Sequence, residues 1–191
     1  FKTSKTRQKE IYDKIIESTY SLIETVNSLL DFSRLDKYDE VLKKENVNIF
    51  NLVNDIIATL SIVSVKKDLR INNVIPEDTF FLCDEQKIKT VFTNLISNAI
   101  KYTERGIIDI ECIKSNYEIL FSVKDTGIGI PVDMQDKIFE MYQRFDESKK
   151  IVGTGIGLAL AKKYIELHKG KIWVESKGEG KGSVFFIKIP E

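Results

Sequence analysis

The segment that most limits the fold of this chain is Gly153-Thr-Gly155-Ile-Gly157-Leu158, where three glycines crowd together at the start of an amphipathic helix. Glycines at a helix N-terminus leave backbone amides open to anionic oxygens. A dinucleotide-binding fold would need a further glycine three residues after the second, and a buried strand leading in. Leu158 holds that position, and the lead-in Asp146-Glu147-Ser148-Lys149-Lys150 is polar throughout. A doubly wound fold is excluded on context, while the glycines still invite a phosphate.

The rest of the chain has to supply a fold around that segment. From about Ser4 to Leu35, Ile11, Ile15, Leu22, Val26 and Leu29 recur at helical spacing, with Ile16, Ile23 and Leu30 widening the stripe. No Gly or Pro interrupts this run, which predicts one long helix whose broad apolar stripe wants partner helices. Asp36 to Lys44 is a charged linker, and Glu45 to Ile49 alternates like a short strand. A helix is expected over Phe50 to Lys66, strands over Leu69 to Val74 and Thr79 to Cys83, and a helix over Glu85 to Tyr102, stopped by Gly106. Ile107 to Ile113 with Ile119 to Val123, and Ile172 to Glu175 with Val184 to Ile189, read as hairpins. Thr126 to Gly153 shows little periodicity apart from a short helix near Gln135 to Tyr142. Strands in antiparallel pairs with helices between them predict an α/β two-layer sandwich, a mixed sheet with its helices on one face.

Composition removes several function classes. Lys+Arg and Asp+Glu are equal at 29 each over 191 residues, so no global field favours nucleic acid or an acidic membrane surface. Cys83 and Cys112 stand far apart in strand-like surroundings without ligand spacing, which reads as reduced thiols of a cytoplasmic protein. No apolar run approaches the roughly 18 residues that read as a membrane-spanning helix. The expectation is a soluble piece, cut from something larger, since the first residue is not Met.

Three clusters can carry chemistry. Asn94, Asn98 and Lys101 share one helical face. Their amide oxygens suit a hard cation and the lysine suits phosphate, as a magnesium nucleotide requires. They also suit an ordinary polar helix surface. Asp125 closes the run Phe121-Ser-Val-Lys-Asp and opens Asp125-Thr-Gly127-Ile-Gly129-Ile130. A carboxylate there can accept from an exocyclic amine, and the glycines leave room for a flat ring. The same residues also make an ordinary strand-ending turn. The third cluster is the glycine segment itself.

Taken in order, Asn94-x-x-x-Asn98-Ala-x-Lys101-Tyr102, then Asp125-x-Gly127-x-Gly129-Ile130, then Ile138-Phe139-Glu140 with Tyr142 and Phe145, then Gly153-Thr154-Gly155-x-Gly157-Leu158, closely resemble the ATP-binding domain of sensor histidine kinases. Leu167-His168-Lys-Gly170-Lys-Ile-Trp173-Val-Glu-Ser176 and Gly182-Ser183-Val-Phe185 extend the resemblance over roughly Glu45 to Glu191. It implies a Bergerat-type ATP-binding fold over residues 45–191, a linker over 37–44, and, over 1–36, the second helix of a dimerisation hairpin. It implies ATP and Mg2+ as cofactors, with Asn98 holding the metal, Asn94 lining the phosphate side, and Lys101 and Tyr102 meeting the phosphates. Asp125 would bind the adenine amine. Gly127, Gly129 and Ile130 would wall the base, with Ser183 supporting Asp125 through water. Phe139, Tyr142 and Phe145 would anchor a lid over the triphosphate, Arg144 would reach phosphate, and the glycines Gly153, Gly155 and Gly157 would let the lid move. Met141 departs from the proline often found there, a change expected to alter lid stiffness.

The family phosphorylates a histidine on the first hairpin helix, yet this chain has one histidine, His168, at a position matching the family's structural Leu-His-x-Gly. The phosphoacceptor and its acidic neighbour are expected upstream. The resemblance therefore implies a protein-histidine kinase domain in two-component signalling that binds ATP without labelling itself. Its partners would be its own hairpin or a second protomer, and the receiver domain of a response regulator. It would contact no nucleic acid, and membrane only through upstream segments. The alternatives are a non-catalytic pseudokinase that recruits a partner, and a hydrolytic ATPase of the same fold. The ATPase is disfavoured because Asn94 stands where such enzymes carry a catalytic glutamate.

Overall fold

The computed structural model describes residues 41–65, 67–115, 117–143 and 155–190, together with 19, 22, 23, 26, 29 and 30. Those six early residues are all helical, and Leu22, Ile23, Val26, Leu29 and Leu30 are exposed. The remainder of the expected N-terminal helix lies outside the described residues.

The elements from residue 45 onward are strand β1 (Glu45–Asn48), helix α1 (Ile49–Val65), strands β2 (Leu69–Asn73) and β3 (Phe80–Cys83), helix α2 (Glu85–Tyr102), strands β4 (Gly106–Lys114) and β5 (Glu118–Asp125), helix α3 (Gly157–Leu167), and strands β6 (Lys171–Glu175) and β7 (Ser183–Pro190). Five strands form one mixed sheet in the order β2-β4-β5-β7-β6, and β1 pairs with β3 in a separate antiparallel ribbon. Helices α1, α2 and α3 pack on β2, β5 and β6 respectively. The two-layer sandwich with helices on one face is the fold expected from the sequence.

Helix α2 is the central layer because it buries Ile88, Val91, Phe92, Leu95, Ile96, Ala99 and Ile100 along one side. Each large side chain removed from water contributes on the order of 1.5–3 kcal/mol, an upper bound since the unfolded chain already buries some surface. Asp84 caps its N-terminus, accepting from the Lys87 amide at 3.2 Å. Phe92 meets Phe121 of β5 edge to face at 5.3 Å. The helix ends at Tyr102, where the sequence places its end, and Thr103 turns extended.

Two expectations are corrected here. Strand β2 pairs parallel with β4, whereas the sequence reading placed the strands in antiparallel pairs. The chain between them passes through β3 and α2, and a crossover of that length returns a strand in the same direction. Near Gln135 to Tyr142 the chain makes two short 3-10 turns, Val132–Met134 and Lys137–Phe139, in place of an α-helix. Only Ile138 and Phe139 are buried there, too few to fix a longer helix on the core.

Cys83 and Cys112 are both free. Burial, then the neighbouring Asp84 carboxylate, pushes the Cys83 thiol up to about 12, which makes it an inert core group.

Candidate functional site

Strand alternation places the key carboxylate. On β5, Ile119, Phe121, Val123 and Asp125 all point to the buried side, beneath the helices, and the same alternation on β7 buries Ser183, Phe185, Ile187 and Ile189. The antiparallel register sets Asp125 directly opposite Ser183. Asp125 Oδ2 accepts a short hydrogen bond from Ser183 Oγ, and Oδ1 accepts from the Gly127 amide at 2.8 Å. Ser183 reaches Asp125 by direct contact, because the paired strands bring the two side chains together. Desolvation is the largest influence on Asp125 and raises its pKa, while the hydrogen bonds from Ser183 and Gly127 pull the other way.

The loop after Asp125 is stitched in place. Ile128 N donates to Tyr102 O at 3.1 Å, Gly180 N to Ile128 O at 2.6 Å, and Gly182 N to Gly127 O at 3.1 Å. Gly129 adopts a φ of +70°, and a Cβ there would collide with the Gly178 carbonyl, so the chain can pass only with glycine. Ile130 N donates to Ser176 Oγ at 3.0 Å, Ser176 Oγ donates to Gly182 O at 2.7 Å, and Gln135 Nε2 bridges Ile130 O and Ser176 O. Ser176 and Gln135 were not singled out from the sequence for this role. The bonds from Gln135 to Ser176 and from Ile130 to Ser176 span 41 and 46 residues, and no local pattern announces them.

On the other side stands α2. Asn94 and Asn98 are half-buried, one helical turn apart, and Lys101 and Tyr102 close the helix with the Lys101 ammonium 4.9 Å from the Tyr102 ring centroid. The Asn94 amide donates to Thr90 O at 2.9 Å. Its Oδ1 lies against Gly157, where a Cβ would collide with it. Gly157 is the first residue of α3, so this glycine permits close approach of two helices. The residue before it, Ile156, caps α3 without a side-chain hydrogen bond, and Leu158 packs on the core.

The aromatic anchors divide. Phe139 is buried and meets Phe185 edge to face at 6.3 Å. Tyr142 is 64% exposed and fastens instead through its backbone, with its amide donating to Gly155 O at 2.9 Å. Arg144, Phe145, Gly153 and Thr154 lie outside the described residues.

His168 is 2% exposed. Its Nδ1 stands 2.7 Å from Tyr164 O, and its Nε2 accepts from the Asp84 amide at 3.1 Å. A carbonyl can only accept, so the proton sits on Nδ1 and the ring is neutral. Burial lowers its pKa accordingly. Both nitrogens are committed, which fits the structural reading of this residue.

Among the described residues no group of three or more His, Cys, Asp or Glu is placed to hold a metal. An amide such as Asn98 fits a cation brought in by nucleotide phosphates better than a resident ion. No helix among the described residues is long and apolar enough to cross a membrane.

A carboxyl recessed at a strand end, a glycine loop beside it and an amide-bearing helix together fit a nucleotide. The sequence profile described as histidine kinase-, DNA gyrase B-, and HSP90-like ATPase matches residues 83–191. The chain belongs to this ATPase family. It is 39% identical over 181 residues to the sensor protein kinase WalK of Staphylococcus haemolyticus, covering 91% of this chain and 29% of WalK. The catalytic domain of the histidine kinase ThkA superposes with a TM-score of 0.67 at 31% identity, covering 78% of this chain and 95% of that domain. ThkA in complex with the response regulator protein TrrA superposes with a TM-score of 0.72 at 29% identity, over 94% of this chain and 50% of that one. Full-length ShkA in complex with AMPPNP gives 0.80 at 28% identity, over 91% of this chain and 36% of ShkA. The chain thus has the catalytic-domain fold of histidine kinases and spans about a third or less of the whole relatives WalK and ShkA.

Proposed function

We propose that this chain is the ATP-binding catalytic part of a sensor histidine kinase, which transfers the γ-phosphate of ATP to a histidine on a dimerisation hairpin for relay to a response-regulator aspartate. The observation that carries the reading is the Asp125 carboxyl, held by Ser183 Oγ and Gly127 N at the mouth of the glycine loop. Each carboxylate oxygen has a second lone pair to offer, so Asp125 accepts from the adenine amine while keeping both existing bonds. Gly127, Gly129 and Ile130 wall the ring. Lys101 and Tyr102 meet the phosphates, with the N-terminus of α3 adding its positive dipole end. Asn98 holds Mg2+, which, when bound with ATP, neutralises charge on the transferring group. Arg144 adds a further contact to phosphate. The AMPPNP complex of ShkA supports the nucleotide, and the ThkA complex supports a response regulator as partner.

Phosphoryl transfer is mostly positioning and charge neutralisation, so this part presents the γ-phosphate, and the nucleophile comes from the hairpin. The bond from γ-phosphorus to its bridging oxygen breaks, a phosphorus–nitrogen bond forms, and ADP leaves. Residues 1–36 are assigned to the second hairpin helix and 37–44 to the linker. With both His168 nitrogens engaged in the core, the chain does not phosphorylate itself on histidine.

Titration calorimetry with MgATP tests the site. Asp125→Ala is expected to weaken binding about tenfold or more, since a hydrogen bond to a charged group contributes roughly 1.5–3 kcal/mol. Unchanged affinity would remove the adenine assignment.

A further inference from the structure

The last carbonyls of an α-helix have no partner within the helix and carry the negative end of its dipole. Helix α2 ends at Tyr102, where the proposed phosphate contacts stand, so a polyphosphate would approach the unfavourable pole. Lys67 answers this from a distance in sequence. Its ammonium donates to Ile100 O at 2.9 Å, Lys101 O at 2.9 Å and Thr103 O at 3.4 Å. All three donors of an ammonium are thereby spent on one helix terminus. The reversal between α1 and β2 delivers it there, with Asp68 in a left-handed conformation at φ 53° immediately after.

The carbonyls that Lys67 leaves alone serve the pocket and the cap. Ala99 O accepts from the Thr103 amide, and Tyr102 O accepts from Ile128 N at 3.1 Å. A Cβ built on Gly127 would lie 2.5 Å from Tyr102 O and 2.8 Å from both Asp125 Oδ1 and Thr103 Oγ1. The last turn of α2 therefore abuts the glycine loop closely, and a shift in it moves Lys101, Tyr102 and Ile128 together.

We infer that Lys67 is a positioning residue for the phosphate end of the nucleotide pocket: it fixes the last turn of α2 and offsets the helix pole that the polyphosphate meets. The inference rests on the proposed ATP site. It gives Lys67 no contact with nucleotide, and it predicts an effect that depends on the ligand's charge.

The test measures dissociation constants of the chain for MgATP and for adenosine, alongside melting temperatures. Lys67→Met keeps the aliphatic stem and removes donors and charge. It should weaken MgATP about 5- to 10-fold while leaving adenosine within about twofold, because a charge at a helix end changes an equilibrium by about two- to fivefold when exposed and by up to about thirtyfold when partly buried. Lys67→Arg should retain both affinities. If Lys67→Met folds poorly, Lys67→Gln, which keeps N–H donors without charge, is read in the same way. A purely structural role predicts a lowered melting temperature with an unchanged ratio of the two constants, and that result overturns the inference. Lys101→Ala, run in parallel, probes the phosphate assignment separately. Selective loss of MgATP in Lys101→Ala but not in Lys67→Met removes the role of Lys67 alone. Selective loss in neither removes both.

Discussion

Ser183 Oγ donates to Asp125 Oδ2 across the β5–β7 pair, in which the two residues stand directly opposite one another. The carboxyl is thus fixed by a neighbouring strand before any ligand arrives, and its second oxygen is fixed by its own loop through Gly127. A group held in this way loses little freedom on binding. It also carries a desolvation cost before nucleotide binds, and that burial raises its pKa.

That cost sets the first prediction. A carboxyl whose pKa is raised on folding favours the fold when neutral, and this contribution fades as pH rises through the folded value. Above the ordinary carboxyl range the raised pKa therefore burdens the nucleotide-free protein. Asp125→Asn should melt at the same or a higher temperature than wild type at neutral pH without nucleotide, and the difference should shrink toward acid pH. The same variant should lose about tenfold in MgATP affinity with the charge-assisted bond gone. Melting curves across pH, with and without MgATP, check both halves.

His168 gives the opposite sign. Its pKa is lowered by burial, so the unfolded chain binds a proton more readily and stability falls as pH drops below the unfolded value of about 6.5. Wild type should lose stability between roughly pH 7 and pH 5 in part through this group. His168→Phe should flatten that slope and cost roughly 1–3 kcal/mol at pH 7.5, since the Asp84 amide is left buried without its acceptor. Denaturant unfolding at a series of pH values measures both.

Gly157 separates packing from hinge motion. Alanine has the higher helix propensity, yet its Cβ would collide with Asn94 Oδ1. Gly157→Ala should therefore destabilise the chain by about 1–3 kcal/mol, and Asn94→Ala in the same protein should recover most of it. A double-mutant cycle in melting free energy checks this. Additive losses would contradict the contact.

Much of this site could be read from local pattern. The run Phe121 to Asp125 alternates, so its carboxylate had to emerge on the buried face at a strand end. The stripe of α2 likewise fixed which side of that helix was left for Asn94, Asn98 and Lys101. Other features depend on residues far apart in sequence. Lys67 reaches carbonyls 33 to 36 residues away, and Ser176 reaches Ile130 across 46. The direct Ser183–Asp125 bond follows from strand register, which a single strand does not encode. Gly157 belongs to a glycine cluster that suggested mobility, and only the position of Asn94 shows that it is needed for close helix approach. Tyr142 is an aromatic in a motif of anchors, yet it holds by its backbone amide, a group that sequence composition does not distinguish.

The central claim is that the chain presents ATP for transfer to a histidine outside itself. The direct measurement incubates the chain with γ-labelled ATP, Mg2+ and a separately supplied dimerisation hairpin that bears the histidine. Label should appear slowly on the hairpin, because no tether raises its local concentration, as an acid-labile and base-stable phosphate, with none on the chain itself. Asn98→Ala should abolish it by losing the metal that neutralises the transferring group. Label on His168, or a chain that binds MgATP fully yet leaves its native hairpin unlabelled, would contradict the account.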